Sequence, residues 1–270
     1  MRSLQTISSA TNPLIKEVRR ALSRGSLTED GCAVAEGFHL LEEALRSECE
    51  VPTVLVSEAA LAQVEQHRAE LSQSRILVLS DSLFQSVAAT ESSQGVIALV
   101  KAPQWPLDTL FKGRSLVVVL DGVQDPGNAG TIARAAEAFG ATGIMFIKGS
   151  VGAFHPKTLR ASAGSLFRVA SVQSMDPLFA LETLRRHRVD VYAAMPFTGT
   201  EYAARDIDFS RRCAIVIGSE GRGVSGALIE ATRVAIPTAG VESLNAAVAA
   251  SILLYEAHQQ RMAFGGVTPA

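Results

Sequence analysis

Short unbroken apolar runs alternate along this chain with stretches whose apolar residues recur every three to four positions, the signature of strands exchanging with helices. In the first hundred residues, runs at 32–35, 51–56, 76–79 and 95–100 predict strands. Asn12-Pro13 opens a helix that puts Leu14, Ile15, Val18 and Leu22 on one face and Lys16, Arg19, Arg20 and Arg24 on the other. Further helices are predicted over 38–46, 59–71 and 82–87. From residue 115 the apolar runs lengthen and the helices become alanine-rich. Strands are predicted at 116–120, 143–147, 167–172, 190–195, 213–217 and 233–236, and helices at 128–139, 156–164, 177–187, 225–231 and 244–261. Residues 101–114, KAPQWPLDTLFKGR, hold two prolines and the single tryptophan without a clear period, as a linker does. The expectation is a small α/β domain over 1–100, a linker over 101–114, and a doubly wound α/β domain over 115–270.

Composition narrows the function classes. With 47% hydrophobic and 19% charged residues in 270, the chain is globular and long enough for two cores. A net charge of −2 gives no global basic field, so a nucleic-acid partner would have to meet a local patch. The three cysteines, Cys32, Cys49 and Cys213, lie far apart and fit a reducing compartment. The N-terminal residues contain no long apolar core, and no run approaches about 18 apolar residues; a cytoplasmic protein without a membrane partner is expected. The five histidines are scattered without metal-ligand spacing, so no metal site is expected.

Chemistry is concentrated in three loops that follow strands. In the first, the run 116–120 meets Asp-Gly and Pro-Gly turn pairs and then a helix, with Asn128 at the expected N-cap and Gly140 at the expected C′ position. Arg134 lies nearly opposite the Ile132/Ala136 stripe, and helical side chains lean toward the N-terminus, so its guanidinium can reach back over the loop. The second loop, GSEGRGVS (218–225), has three glycines that let backbone approach a ligand closely, and Glu220 either caps a helix or faces the site. The third, IPTAGVESLN (236–245), leads into a helix whose apolar stripe is Leu244, Val248, Ile252 and Tyr255; its alanine-rich surface suits either internal packing or a subunit interface. No P-loop motif occurs, which disfavours a P-loop NTPase, and a nucleotide-dependent oxidoreductase is a remote third reading.

Taken together, DPGNAGTIARAAEAFGA (125–141), VIGSEGRGVS (216–225) and IPTAGVESLNAAVAASILLYE (236–256) resemble, in order and spacing, the three motifs of the SpoU (TrmH-like) RNA 2′-O-ribose methyltransferases of the SPOUT superfamily. The first hundred residues resemble more loosely the ribosomal-protein-like RNA-binding domain that often precedes this catalytic domain, through NPLIKEVRRALSR (12–24) and the run at 35–45. The resemblance implies a deep trefoil knot in the C-terminal α/β domain, S-adenosylmethionine as methyl donor, a homodimer, and RNA rather than DNA as partner. Large-subunit rRNA is the implied substrate, with tRNA second. By position it implies donor contacts from Gly218, Ile236, Ser243, Leu244 and Asn245, and catalytic roles for Asn128, Arg134, Glu220, Ser243 and Asn245. A guanidinium stays protonated, so Arg134 is expected to clamp phosphate and stabilise developing alkoxide charge rather than act as a base. Lys16, Arg19, Arg20 and Arg24, with Lys157 and Arg160, are the expected RNA-binding patch. The alternative is a non-catalytic RNA-binding protein that keeps the fold.

Overall fold

The computed structural model describes residues 4–228 and 231–265. It divides into two compact units: the chain up to Pro103 together with Phe154–Arg168, and Gln104–Ala153 together with the chain from Val169 on.

The first unit is a five-stranded mixed sheet with helices packed on it. Its elements are β1 (Gln5–Ile7), α1 (Pro13–Arg24), β2 (Cys32–Glu36), α2 (Phe38–Arg46), β3 (Thr53–Ser57), α3 (Leu61–Val64), β4 (Arg75–Leu79), α4 (Asp81–Gln85) and β5 (Val96–Lys101). The sheet order is β1-β4-β3-β5-β2, with β5 antiparallel to both its neighbours. α1 starts where Asn12 accepts the N–H of Leu14 and Pro13 fills the first position, and ends at Gly25 in the left-handed region. Its Ile15 and Val18 pack with Val34, Leu55, Leu77 and Ile97 in the core. The stretch at 59–71 forms only short turns around α3, because its polar residues leave no continuous apolar face to hold a long helix.

A later piece of chain, Phe154–Arg168 with its helix α6 (Pro156–Ala161), belongs to this unit. Gly25 makes room for it: a Cβ there would stand 1.9 Å from the His155 ring. Glu43, only 5% exposed, accepts a hydrogen bond from Arg168 Nη1 at 2.6 Å and pairs with Arg46. Such a buried carboxylate is tolerable because it is paired.

The second unit contains β6 (Leu116–Asp121), α5 (Pro126–Ala138), β7 (Gly143–Ile147), β8 (Ser171–Met175), α7 (Pro177–Arg186), β9 (Asp190–Ala194), β10 (Tyr202–Ala203), β11 (Cys213–Gly218), β12 (Thr232–Ala235) and α8 (Ala246–Gly265). Its seven strands are all parallel, in the order β10-β12-β9-β11-β6-β7-β8. β6 and β11 lie side by side near its centre, and every residue of β6 is buried, as a strand covered on both faces requires. Their carboxyl ends therefore share one edge.

Several expectations shift. The stretch 101–114 is more than a linker: Lys101 ends β5, and Leu107–Phe111 is a 3-10 turn whose Leu110 and Phe111 are buried in the second unit's core. The strand expected at 167–172 starts at Ser171 instead, because Ser165–Phe167 closes a 3-10 turn after Gly164 in the left-handed region. In place of a helix over 225–231, residues 226–228 form a turn with Leu228 N–H bonded to Ser225 C=O, and positions 229 and 230 lie outside the described residues. The apolar stripe read along α8 faces outward: Val248 is 48% exposed, Ile252 39% and Tyr255 50%. The inward face is instead Ala246, Ala247, Ala250, Leu253, Leu254 and Ala257, whose small side chains let α8 pack against α5 and β11.

Candidate active site

The site begins at the register of two strands. Asp121, the last residue of β6, pairs with Gly218, the last of β11. Its buried carboxylate accepts the Ser225 N–H at 2.6 Å, which ties the first loop to the second. Four residues on, Asp125 caps α5 by accepting the Asn128 N–H at 2.7 Å, with Pro126 in the first helical position. Asn128 is therefore not the N-cap expected from sequence but the third residue of the helix. Asp125 won that position because it lies directly before the proline, and the Asn128 side chain is left free to point elsewhere.

That freedom is used across the loops. Asn128 Nδ2 donates to Glu220 Oε1, and Asn128 Oδ1 accepts from Asn245 Nδ2 at 3.0 Å. Asn245 Nδ2 also stands 3.5 Å from Glu220 Oε1. On its other side Asn245 Oδ1 caps α8, accepting the N–H groups of Ala247 at 2.9 Å and Val248 at 3.3 Å. This cap is why α8 starts two residues later than the sequence pattern suggests. Each amide uses its oxygen toward one neighbour and its nitrogen toward the next, so both orientations follow from the network. Residues 128, 220 and 245, one at the start of α5, one on the second loop and one at the cap of α8, form one hydrogen-bonded group.

Two cavities flank that group. The larger, about 410 Å³, is lined by the ends of β9, β11 and β12 and the start of α8, including Gly218, Glu220, Ile236, Ser243 and Leu244. The smaller, a cleft of about 180 Å³, lies between the first loop and the second, against Gln124, Asp125, Asn128 and Arg222. Gly218, Ser219, Glu220, Gly221 and Ala246 line both, so the cavities adjoin. The wall between them is a closed turn in which Ser219 and Gly223 exchange backbone hydrogen bonds at 3.0 and 2.8 Å. Gly218 admits no side chain: a Cβ there would stand 2.3 Å from the Gly223 carbonyl carbon.

Of the residues singled out from sequence, Gly218, Ile236, Ser243 and Leu244 line the larger cavity, Asn128 the cleft, and Glu220 both. Asn245 lines neither and joins the site through its hydrogen bonds. Arg134 also lines neither cavity; it is exposed on α5, and among the described residues it makes no hydrogen bond or ion pair. In the first unit, Lys16 and Arg24 are exposed, whereas Arg19 donates to Ser86 Oγ at 2.6 Å and Arg20 pairs with Glu29 at 2.7 Å. Lys157 is exposed and Arg160 stands 3.9 Å from Glu36.

Sequence reasoning missed Asp121, Gln124 and Arg222, and also Met195, Phe197 and Glu242 in the larger cavity. The rule that ligands gather at strand carboxyl ends points at 195–197, but only the strand order reveals that β9 neighbours β11. Burial pushes the Cys213 thiol up to about 11, with Arg261 Nη2 at 3.4 Å opposing that shift, so this cysteine stays protonated at neutral pH. No group of His, Cys, Asp and Glu able to hold a metal occurs among the described residues.

The model of the SpoU rRNA Methylase family matches residues 115–255, which contain all three loops. The chain belongs to that family. Residues 12–98 match a second model, the MRM3-like substrate binding domain. Among relatives, the 23S rRNA (guanosine(2553)-2′-O)-methyltransferase RlmP of Bacillus subtilis is 34% identical, over 93% of this chain and 98% of its own. Among solved structures, the AdoMet-bound rRNA methyltransferase from Sinorhizobium meliloti has a TM-score of 0.81 at 29% identity, covering 95% of this chain and 98% of the other. The SpoU methyltransferase AviRb from Streptomyces viridochromogenes, in complex with the cofactor AdoMet, gives 0.82 at 26% identity, covering 93% and 98%.

Proposed function

We propose that this protein transfers a methyl group from S-adenosylmethionine to a ribose 2′-hydroxyl in large-subunit rRNA. The observation that carries the reading is the pair of adjoining cavities joined by Asn128, Glu220 and Asn245. Family membership and the near-full-length likeness to a 23S rRNA 2′-O-methyltransferase support it.

The larger cavity fits the donor. Its volume falls in the range of about 300–1,000 Å³ that holds small-molecule cofactors. Its wall at Gly218 is bare backbone, which allows close approach. Among the described residues, Glu220 and Glu242 are the only charged side chains lining it, and carboxylates complement a sulfonium cation. When bound, S-adenosylmethionine supplies an electrophilic methyl: the new O–CH3 bond forms as the S–CH3 bond breaks, its electron pair stays on sulfur, and the hydroxyl proton passes to water.

The chain's own part is positioning. Gly218, Ile236, Ser243 and Leu244 hold the donor, and Asn245 fixes the start of α8 beneath it. Asn128 and Glu220 hold the first and second loops at a fixed separation, so that hydroxyl oxygen, methyl carbon and sulfur line up; orientation of this kind supplies much of a transfer rate. Arg134, permanently charged and exposed on α5 outside both cavities, reaches from that helix toward the bound RNA and stabilises the negative charge that develops on the 2′-oxygen. Of the basic residues of the first unit expected to bind RNA, Lys16 and Arg24 on α1 and Lys157 are exposed and without an ion pair among the described residues, and these are the ones to meet RNA phosphates. The first unit then serves as the substrate-binding domain and the second as the catalytic domain, with the trefoil knot of the family at its C-terminal end. The outward stripe Val248, Ile252 and Tyr255 supports pairing of two chains through α8 as a homodimer. The compartment consistent with an rRNA substrate and three free cysteines is the cytoplasm.

The test is transfer of labelled methyl by purified protein to an unmodified large-subunit rRNA transcript and, separately, to tRNA. Label in the rRNA at one alkali-resistant linkage is the expected result. Label confined to tRNA overturns the substrate assignment, and failure to bind S-adenosylmethionine overturns the enzymatic one.

A further inference from the structure

We propose that the cleft beside the donor cavity is the acceptor subsite, and that Arg222 holds the phosphate flanking the ribose to be methylated. The inference rests on the methyltransferase reading above and adds to it a substrate-holding residue that the motif positions do not supply.

Size is the first argument. At about 180 Å³ the cleft lies below the roughly 300 Å³ at which pockets take a whole cofactor. It suits one sugar with the phosphate at its rim. The side chains of Gln124, Asn128 and Ser219 offer it neutral donors and acceptors, the groups that sugar hydroxyls need.

Charge is the second. The cleft's two carboxylates are already engaged within the protein: Asp125 accepts the Asn128 N–H, and Glu220 accepts from Asn128 and Asn245. An anion entering here would still feel both. Arg222 is the only cation among the described lining residues, and its side chain makes no hydrogen bond or ion pair among the described residues. Arg134, the other arginine near the site in sequence, lines neither cavity.

Placement is the third. Arg222 occupies the closed turn between Ser219 and Gly223, and its own N–H donates to Ser219 Oγ at 3.2 Å. The backbone is thus fixed on the wall shared with the donor cavity, while the guanidinium is exposed at the cleft. A planar guanidinium grips phosphate through two parallel N–H bonds, which fixes the sugar's direction as well as its presence.

The test compares the full chain with Arg222→Ala and Arg222→Lys, using an unmodified large-subunit rRNA transcript. Arg222→Ala should raise the KM for RNA roughly tenfold and lower the slope of log Kd against log salt by about one. Its affinity for S-adenosylmethionine and its kcat at saturating RNA should stay near wild type, and Arg222→Lys should recover most of the salt slope. Unchanged KM and slope overturn the proposal. So does a loss of cofactor affinity or kcat with the slope intact, which would make Arg222 a brace for the turn. Salt-dependent RNA binding is read without turnover. A wild-type protein that transfers no methyl therefore refutes the methyltransferase reading separately from this one.

Discussion

Two sets of basic residues look alike in the sequence and differ in the fold. On α1, Arg19 is spent on Ser86 and Arg20 on Glu29, so half of that basic face is committed to holding its own unit together. In the second unit, Arg222 on the 218–223 loop and Arg134 on α5 make no such bonds among the described residues, while the carboxylates and amides of the strand-end segments, Asp121, Asn128, Glu220 and Asn245, bond within the protein. A charge satisfied within the protein contributes little to a ligand, because binding must first break the existing pair. A charge left open on a loop that is itself tightly hydrogen-bonded is available at no such cost. Counting arginines on a helix face therefore overstates a binding surface, and asking which of them are free corrects the count.

The largest expected effect sharpens the second unit's side of that contrast. Arg134→Ala should lower methyl transfer by about 10²–10³-fold, the scale for removing one stabiliser of transition-state charge. Its S-adenosylmethionine affinity should hold, since Arg134 does not line the donor cavity. Near-normal turnover would remove Arg134 from the mechanism. A smaller effect probes the α1 side. Lys16→Ala and Arg24→Ala should each flatten the salt dependence of RNA binding by about one unit of slope, whereas Arg20→Ala should leave it nearly unchanged. Equal losses from all three would erase the distinction between spent and open charges.

The smallest effect is a pH dependence. His155 caps α6 by accepting the Lys157 N–H at Nδ1, and burial, with Lys157 and Arg160 nearby, holds its pKa below the ordinary 6.5. Below about pH 6.5 the unfolded chain takes up this proton and the folded one does not. Stability should therefore fall as pH drops from 7 toward 5, until the folded value is passed. His155→Asn keeps a capping oxygen without a titrating group, so its Tm should vary less over that range. An unchanged pH slope would show that other groups set it.

Much of this was legible in the residues. The apolar runs at 116–120 and 213–217 announced buried parallel strands, and the glycines of 218–223 announced a loop that needs bare backbone. Gly218 turns out to need it absolutely, as the contact with Gly223 shows. Other features depended on tertiary partners that a linear pattern does not contain. Asn128 reads as a cap until Asp125 takes the cap and frees the amide for Glu220 and Asn245. Val248, Ile252 and Tyr255 read as the apolar stripe because they are larger apolar residues at helical spacing, and the pattern alone leaves open whether the core or a second chain covers them. The core chose the alanines instead, which bring α8 closer to α5 and β11. Phe154–Arg168 lies amid the second unit's sequence, yet it packs with the first through Gly25 and Glu43. No local period foretells that exchange.

The most direct test of the account is Asn128→Ala, measured for methyl transfer and for S-adenosylmethionine affinity in the same preparation. Asn128 lines the cleft and bridges to Glu220 and Asn245, but it does not line the donor cavity. If the three loops form one site in which donor holding and acceptor alignment are separable, transfer should fall by about a hundredfold or more while cofactor affinity changes by no more than roughly threefold. Transfer at the wild-type rate, or a loss of cofactor affinity large enough to explain the lost transfer, would contradict it.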